Sequence, residues 1–152
     1  FAPERFPAAQ PFTVAGYLRH TARMRSAPFA DALEWAARLG LESLLDTRLA
    51  ELSKGSAQKV GLAQALFPAP RLLVLDEPFE AVDPVSGSLI RDILQRYVHG
   101  GGTVIFSSHV MEVVERLCSD VAIMAEGRIR RIYLVVNPDK LSGLEPEPRP
   151  IE

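Results

Sequence analysis

A chain of 152 residues is long enough for one domain with a hydrophobic core and leaves little room for two. Its 17 basic and 19 acidic residues give a formal net charge of −2, which excludes a general basic field for nucleic-acid binding. The single cysteine, Cys118, excludes an internal disulfide framework and is interpreted as a small buried apolar residue. No stretch approaches the ~20 uninterrupted apolar residues of a membrane-spanning helix.

The first half of the chain is predicted to be mostly helical. Apolar residues recur at helical spacing, and Thr13, Gly40 and Pro68 are typical residues for starting or stopping a helix. The expected helical segments are 13–24, 33–39, 41–46 and 54–67. Before them, the proline-containing segment 1–12 is expected to be irregular and to leave a strand.

After Pro70 the pattern changes to alternating strands and helices. The expected strands are 72–76, 103–107 and 121–124, and the helices between them are 84–98 and 111–118. Such a βαβαβ series favours a parallel sheet with right-handed crossovers. Glu126–Gly127 predicts a hairpin turn into a last strand, 128–136, and residues 137–152, with four prolines among charged residues, are expected to form a disordered or loosely attached tail.

The run LLVLDEP, Leu72–Pro78, places two adjacent carboxylates where a buried strand ends. Parallel sheets bind ligands at the carboxyl ends of their strands. Asp76 is a candidate ligand for Mg²⁺ and Glu77 a candidate for polarising an attacking water, because adjacent strand residues point to opposite sides and need different roles. The alternative is an acidic strand-to-turn junction without any ligand.

The turn LSKGS, Leu52–Ser56, is a second candidate site. A helix N-terminus offers backbone N–H groups and a positive dipole end, and the hydroxyls of Ser53 and Ser56 add donors, so this turn suits a phosphate. Gly55 is a poor helix former, and close approach of the backbone to a ligand is one reason for it. Plain N-capping by Ser53 is the alternative.

Two more polar residues follow these motifs. Asp83 stands directly before Pro84, and N-capping of the next helix explains it well. His109 follows the strand 103–107, so it is expected beside Asp76 and Glu77, where it is able to donate to a phosphate oxygen. A structural histidine is the alternative.

In chain order, LSKGSAQKV, LLVLDEP, EAVDP and SSH closely resemble the motifs of the ATP-binding cassette (ABC) ATPase family. The resemblance implies an α/β fold: a P-loop NTPase-like parallel sheet with flanking helices and a small helical subdomain. It implies that Ser53 and Gly55 belong to the signature motif, which faces the γ-phosphate of a nucleotide held by a partner cassette. It also implies that Asp76 lies on the Mg²⁺ side of the Walker B strand and that Glu77 is the catalytic carboxylate.

The same resemblance implies roles for two further residues and a division of the chain. Asp83 matches the D-loop aspartate at a dimer interface, and His109 matches the switch histidine that contacts the γ-phosphate. Residues 1–136 would be a partial nucleotide-binding domain, with 13–51 as the helical subdomain and 52–136 as the part that holds the signature, Walker B, D-loop and H-loop. Residues 137–152 would be the proline-rich tail.

Some positions depart from the family pattern. Lys54 and Ser56 are substitutions in the usual LSGGQ, whereas Gln58 and Lys59 continue the expected QKV, so the phosphate role of the turn, Ser56 included, is kept. Glu4 stands at the Q-loop position, where glutamine is usual, a variant that resembles one branch of export-type cassettes. The resemblance makes Glu4 a candidate for cofactor binding, because glutamate can still reach metal or water.

A larger departure is that no G-x-x-x-x-G-K-[ST] run, which would cradle phosphates, occurs in the 152 residues. The sequence therefore suggests a fragment of a longer cassette, lacking Walker A, in which an apolar sheet face or edge is exposed. No hydrolysis is expected from the chain alone.

For the intact protein the resemblance implies an ATP-hydrolysing subunit of a membrane transporter, of export type, with ATP and Mg²⁺ as cofactors. The implied partners are a second cassette and a transmembrane permease subunit, with no nucleic acid, and the implied location is cytoplasmic, on the inner face of the cell membrane through the permease. The alternative is a non-catalytic truncated cassette that acts as a docking or regulatory module. A cassette for DNA repair or translation is a weaker alternative, because neither a long coiled-coil insertion nor tandem cassettes are visible.

Overall fold

The computed structural model describes residues 1–2, 11–134 and 148–149. The chain divides into two compact units, Phe1–Ser107 and Ser108–Glu152. The first unit holds the helices of the first half of the chain and the strand that ends in the two carboxylates. The second unit begins just before His109 and is a separate, smaller body.

Three helices form the first part of the first unit: α1 (Val14–Met24), α2 (Phe29–Arg38) and α3 (Lys54–Leu66). Thr13 caps α1, because its hydroxyl accepts a hydrogen bond from Gly16 N at 3.1 Å. Short 3₁₀ turns at Glu42–Leu44 and Leu49–Glu51 connect α2 to α3. The helices share a core of fully buried apolar residues, among them Val14, Leu18, Ala32, Ala36, Leu49, Val60 and Leu66.

Two parallel strands follow: β1 (Leu72–Leu75) and β2 (Thr103–Phe106), joined by α4 (Pro84–His99). On the other side of β1, Ala2 pairs in parallel: its N–H donates to Val74 O at 3.0 Å and its carbonyl accepts from Asp76 N at 2.9 Å. This pairing agrees with the expectation that the first residues leave a strand. β1 is therefore the inner member of the parallel arrangement.

The two faces of this parallel pair differ in burial. Leu73 and Leu75 are buried against the helices of the first unit, together with the part-buried side chains of Val104 and Phe106. The opposite face, which we call the outer sheet face, comprises Leu72, Val74, Thr103 and Ile105. Leu72 and Ile105 are 50% and 56% exposed there. The expectation of an exposed apolar sheet face is confirmed.

The second unit contains α5 (Met111–Leu117) and a hairpin of β3 (Asp120–Ala125) and β4 (Arg128–Leu134). Glu126 and Gly127 both have positive φ, 52° and 71°, as a two-residue hairpin turn requires, so the predicted turn is confirmed. Cys118 is half-buried, and burial, together with the carboxylate of Asp120, raises the pKa of its thiol.

Helix α2 contains the predicted apolar positions Leu33, Ala36 and Ala37 and begins at Phe29, after the extended backbone of Pro28. Two predictions about segments need correction. The strand predicted at 121–124 exists as β3, but its partner in the described residues is the antiparallel β4, because the two-residue turn returns the chain directly alongside it. Pro148–Arg149 forms a short strand, β5, paired with β4, so these two residues are not loosely attached. The rest of the predicted tail lies outside the described residues.

None of the described helices combines the length and the apolar character needed to span a bilayer.

Candidate functional site

The carboxyl ends of β1 and β2 bring together two carboxylates and a serine. Asp76 directly follows β1, and its Oδ1 accepts a hydrogen bond from the hydroxyl of Ser107, which directly follows β2, at 2.7 Å. The same hydroxyl accepts a hydrogen bond from the backbone N–H of Glu77 at 2.9 Å. Because the strands are parallel, their ends meet at one edge of the sheet. Ser107 thus joins the two predicted site residues.

The backbone of Glu77 has an unusual conformation that is held at both sides. Its φ is +45°, in the left-handed region that residues with a Cβ rarely adopt. Its N–H is bound by Ser107, and its carbonyl accepts a hydrogen bond from Nε2 of Gln58, a buried residue of α3, at 3.0 Å. Sparsely populated backbone conformations cluster at functional sites as well as in turns, so this conformation is compatible with a role for Glu77.

The LSKGS turn starts α3 with the capping that the sequence predicts. The hydroxyl of Ser53 accepts a hydrogen bond from Ser56 N at 3.1 Å and donates to the Ser56 hydroxyl at 3.0 Å. The capping alternative is therefore realised, and both hydroxyls lie at a helix N-terminus. Such an end still carries the positive dipole and N–H groups without helical partners, which suit an anion.

The start of α3 packs against the EAVDP segment, Glu80–Pro84. A Cβ on Gly55 would lie 3.1 Å from the carbonyl oxygen of Ala81, so glycine permits a close approach to backbone at this position. Beside this contact, Nζ of Lys54 lies 2.7 Å from Oε1 of Glu80. The Lys54 substitution thus has a partner that its sequence position alone did not reveal.

Asp83 caps α4, as the sequence predicts. Its Oδ1 accepts a hydrogen bond from Ser86 N at 3.0 Å, and Pro84 occupies the first helical position. Hydrogen bonds from the side chain and then the backbone of Ser86 lower the pKa of the Asp83 carboxyl. The side chain is exposed, so it is accessible to a partner surface.

For two predicted site residues, the place relative to the site stays a prediction. His109 is exposed, lies between β2 and α5, and belongs to the second unit, whereas Asp76 and Glu77 belong to the first. Its predicted place beside the carboxylates stays a prediction. Glu4 lies outside the described residues, so its role also stays a prediction.

The donors present fit a magnesium ion better than a soft metal. Asp76 offers a half-buried carboxylate beside the Ser107 hydroxyl, and Mg²⁺ is usually held by one or two carboxylates, with phosphate oxygens and water completing its shell. Over the described part of the chain, no group of three or more His, Cys, Asp or Glu side chains is arranged to hold a metal by itself.

Comparison with known proteins identifies the family. The sequence profile described as ABC transporter matches residues 7–80. The ABC transporter ATP-binding protein YhaQ of Bacillus subtilis, itself uncharacterized, is 32% identical over 132 residues, which are 84% of this chain and 44% of that protein. The chain belongs to the ABC transporter ATPase family. The assignment of the LSKGS, LLVLD and EAVDP runs to its signature, Walker B and D-loop segments stays a prediction.

Other relatives of this ABC chain serve transport in both directions. The Nod factor export ATP-binding protein I of Rhizobium johnstonii is 38% identical over 112 residues, covering 74% of this chain and 35% of the relative. The methionine import ATP-binding protein MetN of Xylella fastidiosa is 34% identical over 142 residues, covering 88% of this chain and 42% of the relative. The chain thus spans less than half the length of these curated relatives.

Solved structures confirm the α/β, P-loop NTPase fold of the ABC family. An ATP-binding subunit of an ABC transporter superposes with a TM-score of 0.74 at 26% identity, covering 82% of this chain and 54% of that one. A dimeric ATP-binding cassette bound to ADP and phosphate superposes with a TM-score of 0.66 at 25% identity, covering 71% and 47%.

Two residues of the site were not assigned a role from the sequence. In the sequence, Gln58 belongs to the QKV pattern and Ser107 to SSH, and neither pattern indicates a hydrogen-bond partner for them. A polar residue on the buried side of a helix signals a hydrogen-bond partner, but not which one. The partners became visible only with the fold.

Proposed function

We propose that this chain supplies the signature helix and the hydrolytic carboxylates of an ATP-hydrolysing subunit of an ABC membrane transporter. The observation that carries this proposal is the hydrogen-bonded group of Asp76, Ser107 and Glu77 at the carboxyl ends of two parallel strands. Ligands bind at this edge in α/β sheets, and the left-handed backbone of Glu77 marks it as a specialised position.

In this proposal the two carboxylates divide the work. Asp76 would hold Mg²⁺, which, when bound, neutralises charge on the β- and γ-phosphates. Glu77 would orient a water in line with the γ-phosphate and accept its proton. The cradle for the phosphates would come from residues outside these 152, since they contain no G-x-x-x-x-G-K-[ST] run.

The signature turn would serve a second nucleotide, in a pair of cassettes. Ser53, Gly55 and Ser56 would face the γ-phosphate held by the partner cassette, at the positive end of α3. Asp83, exposed at the start of α4, would lie at the interface, and His109 would contact the γ-phosphate of the chain's own site. Support comes from the dimeric cassette with ADP and phosphate that this chain resembles.

The transport role adds a membrane partner. The helical subdomain 13–51 would contact a transmembrane permease, which would hold the protein on the inner, cytoplasmic face of the membrane. Export is the proposed direction, supported by the Glu4 variant and by the export relative at 38% identity. Because an import relative is 34% identical, a transport assay with the assembled transporter is needed to measure the direction of transport.

A non-catalytic docking or regulatory module is the second candidate, favoured by the missing phosphate-cradle motif. The reading frame upstream of Phe1 separates the two candidates. A continuous frame that encodes a phosphate-binding loop supports the hydrolytic subunit, whereas a start codon directly before Phe1 supports the module.

The decisive experiment measures ATP hydrolysis by the longer cassette that carries this sequence and its Glu77→Gln variant. We expect kcat to fall by at least ~100-fold while ATP is still bound, because general-base catalysis contributes roughly 10²–10⁴-fold. Glu34→Gln, which removes an exposed carboxylate paired with Arg38 on α2, is the control and should stay within twofold of wild type. An unaffected Glu77→Gln variant would refute the assignment. Hydrolysis by the 152-residue chain alone would refute the expectation that it is inactive.

A further inference from the structure

Gln58 is a buried polar residue that the proposed mechanism does not yet use. It lies in the second turn of α3, is 7% exposed, and donates from Nε2 to the carbonyl of Glu77 at 3.0 Å. Burying an amide without a hydrogen-bond partner costs folding free energy, so this hydrogen bond stabilises the folded position of Gln58. It links the signature helix to the segment that follows β1.

The hydrogen bond is one half of a clamp on the backbone of Glu77. The other half is Ser107, whose hydroxyl accepts from Glu77 N at 2.9 Å. Between these two bonds Glu77 has a φ of +45°, which a residue with a Cβ adopts only where its surroundings impose it. The Glu77 carbonyl also accepts from Glu80 N at 3.1 Å, which is a local turn bond. Gln58 and Ser107 supply the bonds from distant parts of the chain that fix the direction in which the Glu77 side chain leaves the strand end.

We infer that Gln58 is a positioning residue for Glu77, acting through the main chain rather than by touching substrate. The inference rests on the proposed role of Glu77 in activating water. It also has a mechanical consequence, because α3 begins at the LSKGS turn. One rigid helix then carries the proposed phosphate site at its start and the bond to Glu77 one turn later, so a shift of the helix on nucleotide binding would reach the hydrolytic carboxylate of the same chain.

The chain offers a matched control on the same helix. Gln64 is also 7% exposed and also donates from Nε2 to a backbone carbonyl, that of Phe1, at 2.7 Å. Its Oε1 accepts from Arg25 at 2.8 Å, so its side-chain hydrogen bonds go to Phe1 and Arg25. Gln58→Met and Gln64→Met therefore remove the same chemical group from equally buried positions. Only the first removal takes a donor away from the Glu77 carbonyl, which keeps its local hydrogen bond from Glu80 N at 3.1 Å.

The activity test uses the longer ATP-hydrolysing cassette. Gln58→Met should lower kcat by about 10- to 100-fold with KM for ATP within twofold, because misplacing a catalytic group by about 1 Å can cost 10²-fold. Gln64→Met should keep kcat within twofold. In a Glu77→Gln background, Gln58→Met should have no further effect, since it acts through Glu77. A loss of equal size in both backgrounds, or no loss in either, would overturn the inference.

A second readout does not depend on hydrolysis. Amide hydrogen exchange at Glu77 should be at least ~10-fold faster in Gln58→Met than in wild type and unchanged in Gln64→Met, since exchange reports local opening. If Gln58→Met fails to fold, Gln58→Glu takes its place, because it keeps the shape of the side chain but replaces the donor. It should give the same increase in exchange at Glu77. If the wild-type cassette does not hydrolyse ATP, the proposed function fails and this exchange result alone decides the role of Gln58. Unchanged exchange at Glu77 in the folded variants would overturn the inference.

Discussion

Replacing Ser107 with alanine tests the geometry of the candidate site through stability. The substitution deletes two hydrogen bonds, one to the carboxylate of Asp76 at 2.7 Å and one from Glu77 N at 2.9 Å. A bond to a charged group contributes about 1.5–3 kcal/mol and a neutral one about 0.5–1.5 kcal/mol. Ser107 is exposed and Asp76 half-buried, so water replaces much of what is lost. We therefore expect the free energy of unfolding to fall by about 1–2 kcal/mol.

Urea unfolding followed by Trp35 fluorescence measures this loss, since Trp35 is the single tryptophan and lies on α2 in the same unit. With a slope of roughly 2 kcal/mol per molar urea, the midpoint should fall by about 0.5–1 M.

Two control variants accompany the Ser107→Ala test. Ser107→Thr keeps a hydroxyl and should stay near wild type. Ser108→Ala removes only the bond from Val110 N, in the second unit, and should hardly move the Trp35 signal. A Ser107→Ala midpoint equal to that of wild type, or a Ser107→Thr midpoint as low as that of Ser107→Ala, would refute the proposed hydrogen-bond network.

Two more substitutions probe the signature and D-loop segments. Gly55→Ala gains up to about 1 kcal/mol of helix propensity but brings a Cβ 3.1 Å from the Ala81 carbonyl. We therefore expect an unfolding free energy within about 1 kcal/mol of wild type and at least a tenfold loss of ATP hydrolysis in the longer cassette. Unimpaired hydrolysis would contradict the close-approach argument. Asp83→Asn keeps an N-cap acceptor but removes a carboxyl whose pKa Ser86 lowers in the folded state. The lowered pKa stabilises the fold at pH values above about 4, and this stabilisation is lost as the pH falls through the folded-state pKa of Asp83. Wild type should therefore lose more stability than Asp83→Asn between pH 6 and 3 in urea titrations. Identical pH dependence in both proteins would contradict the stabilising role of the Asp83 carboxylate.

Patterns among neighbouring residues predict much of the secondary structure and the position of the two carboxylates at a strand end. An apolar run closed by Pro78 predicts a short buried strand, and Asp76 and Glu77 then lie at its ligand-binding end. The N-caps at Ser53 and Asp83 also follow from residues within three positions of each helix start. These features depend on neighbours in sequence, which is why a single sequence reveals them.

The remaining features depend on contacts between distant parts of the chain. Gln58 and Ser107 are 19 and 30 residues from Glu77, and no periodicity specifies which carbonyl or N–H they will meet. The place of His109 relative to the carboxylates depends on tertiary structure in the same way and stays a prediction.

The outer sheet face also bears on how long this protein survives in a cell. Parallel sheets in folded proteins are covered on both faces, yet Leu72 and Ile105 are about half exposed on strands whose hydrogen bonds are otherwise well formed. Exposed apolar strands are the surfaces that chaperones and proteases act on. Substitutions at Ile105 are therefore expected to change the abundance of the protein, because they change how much apolar strand surface is exposed.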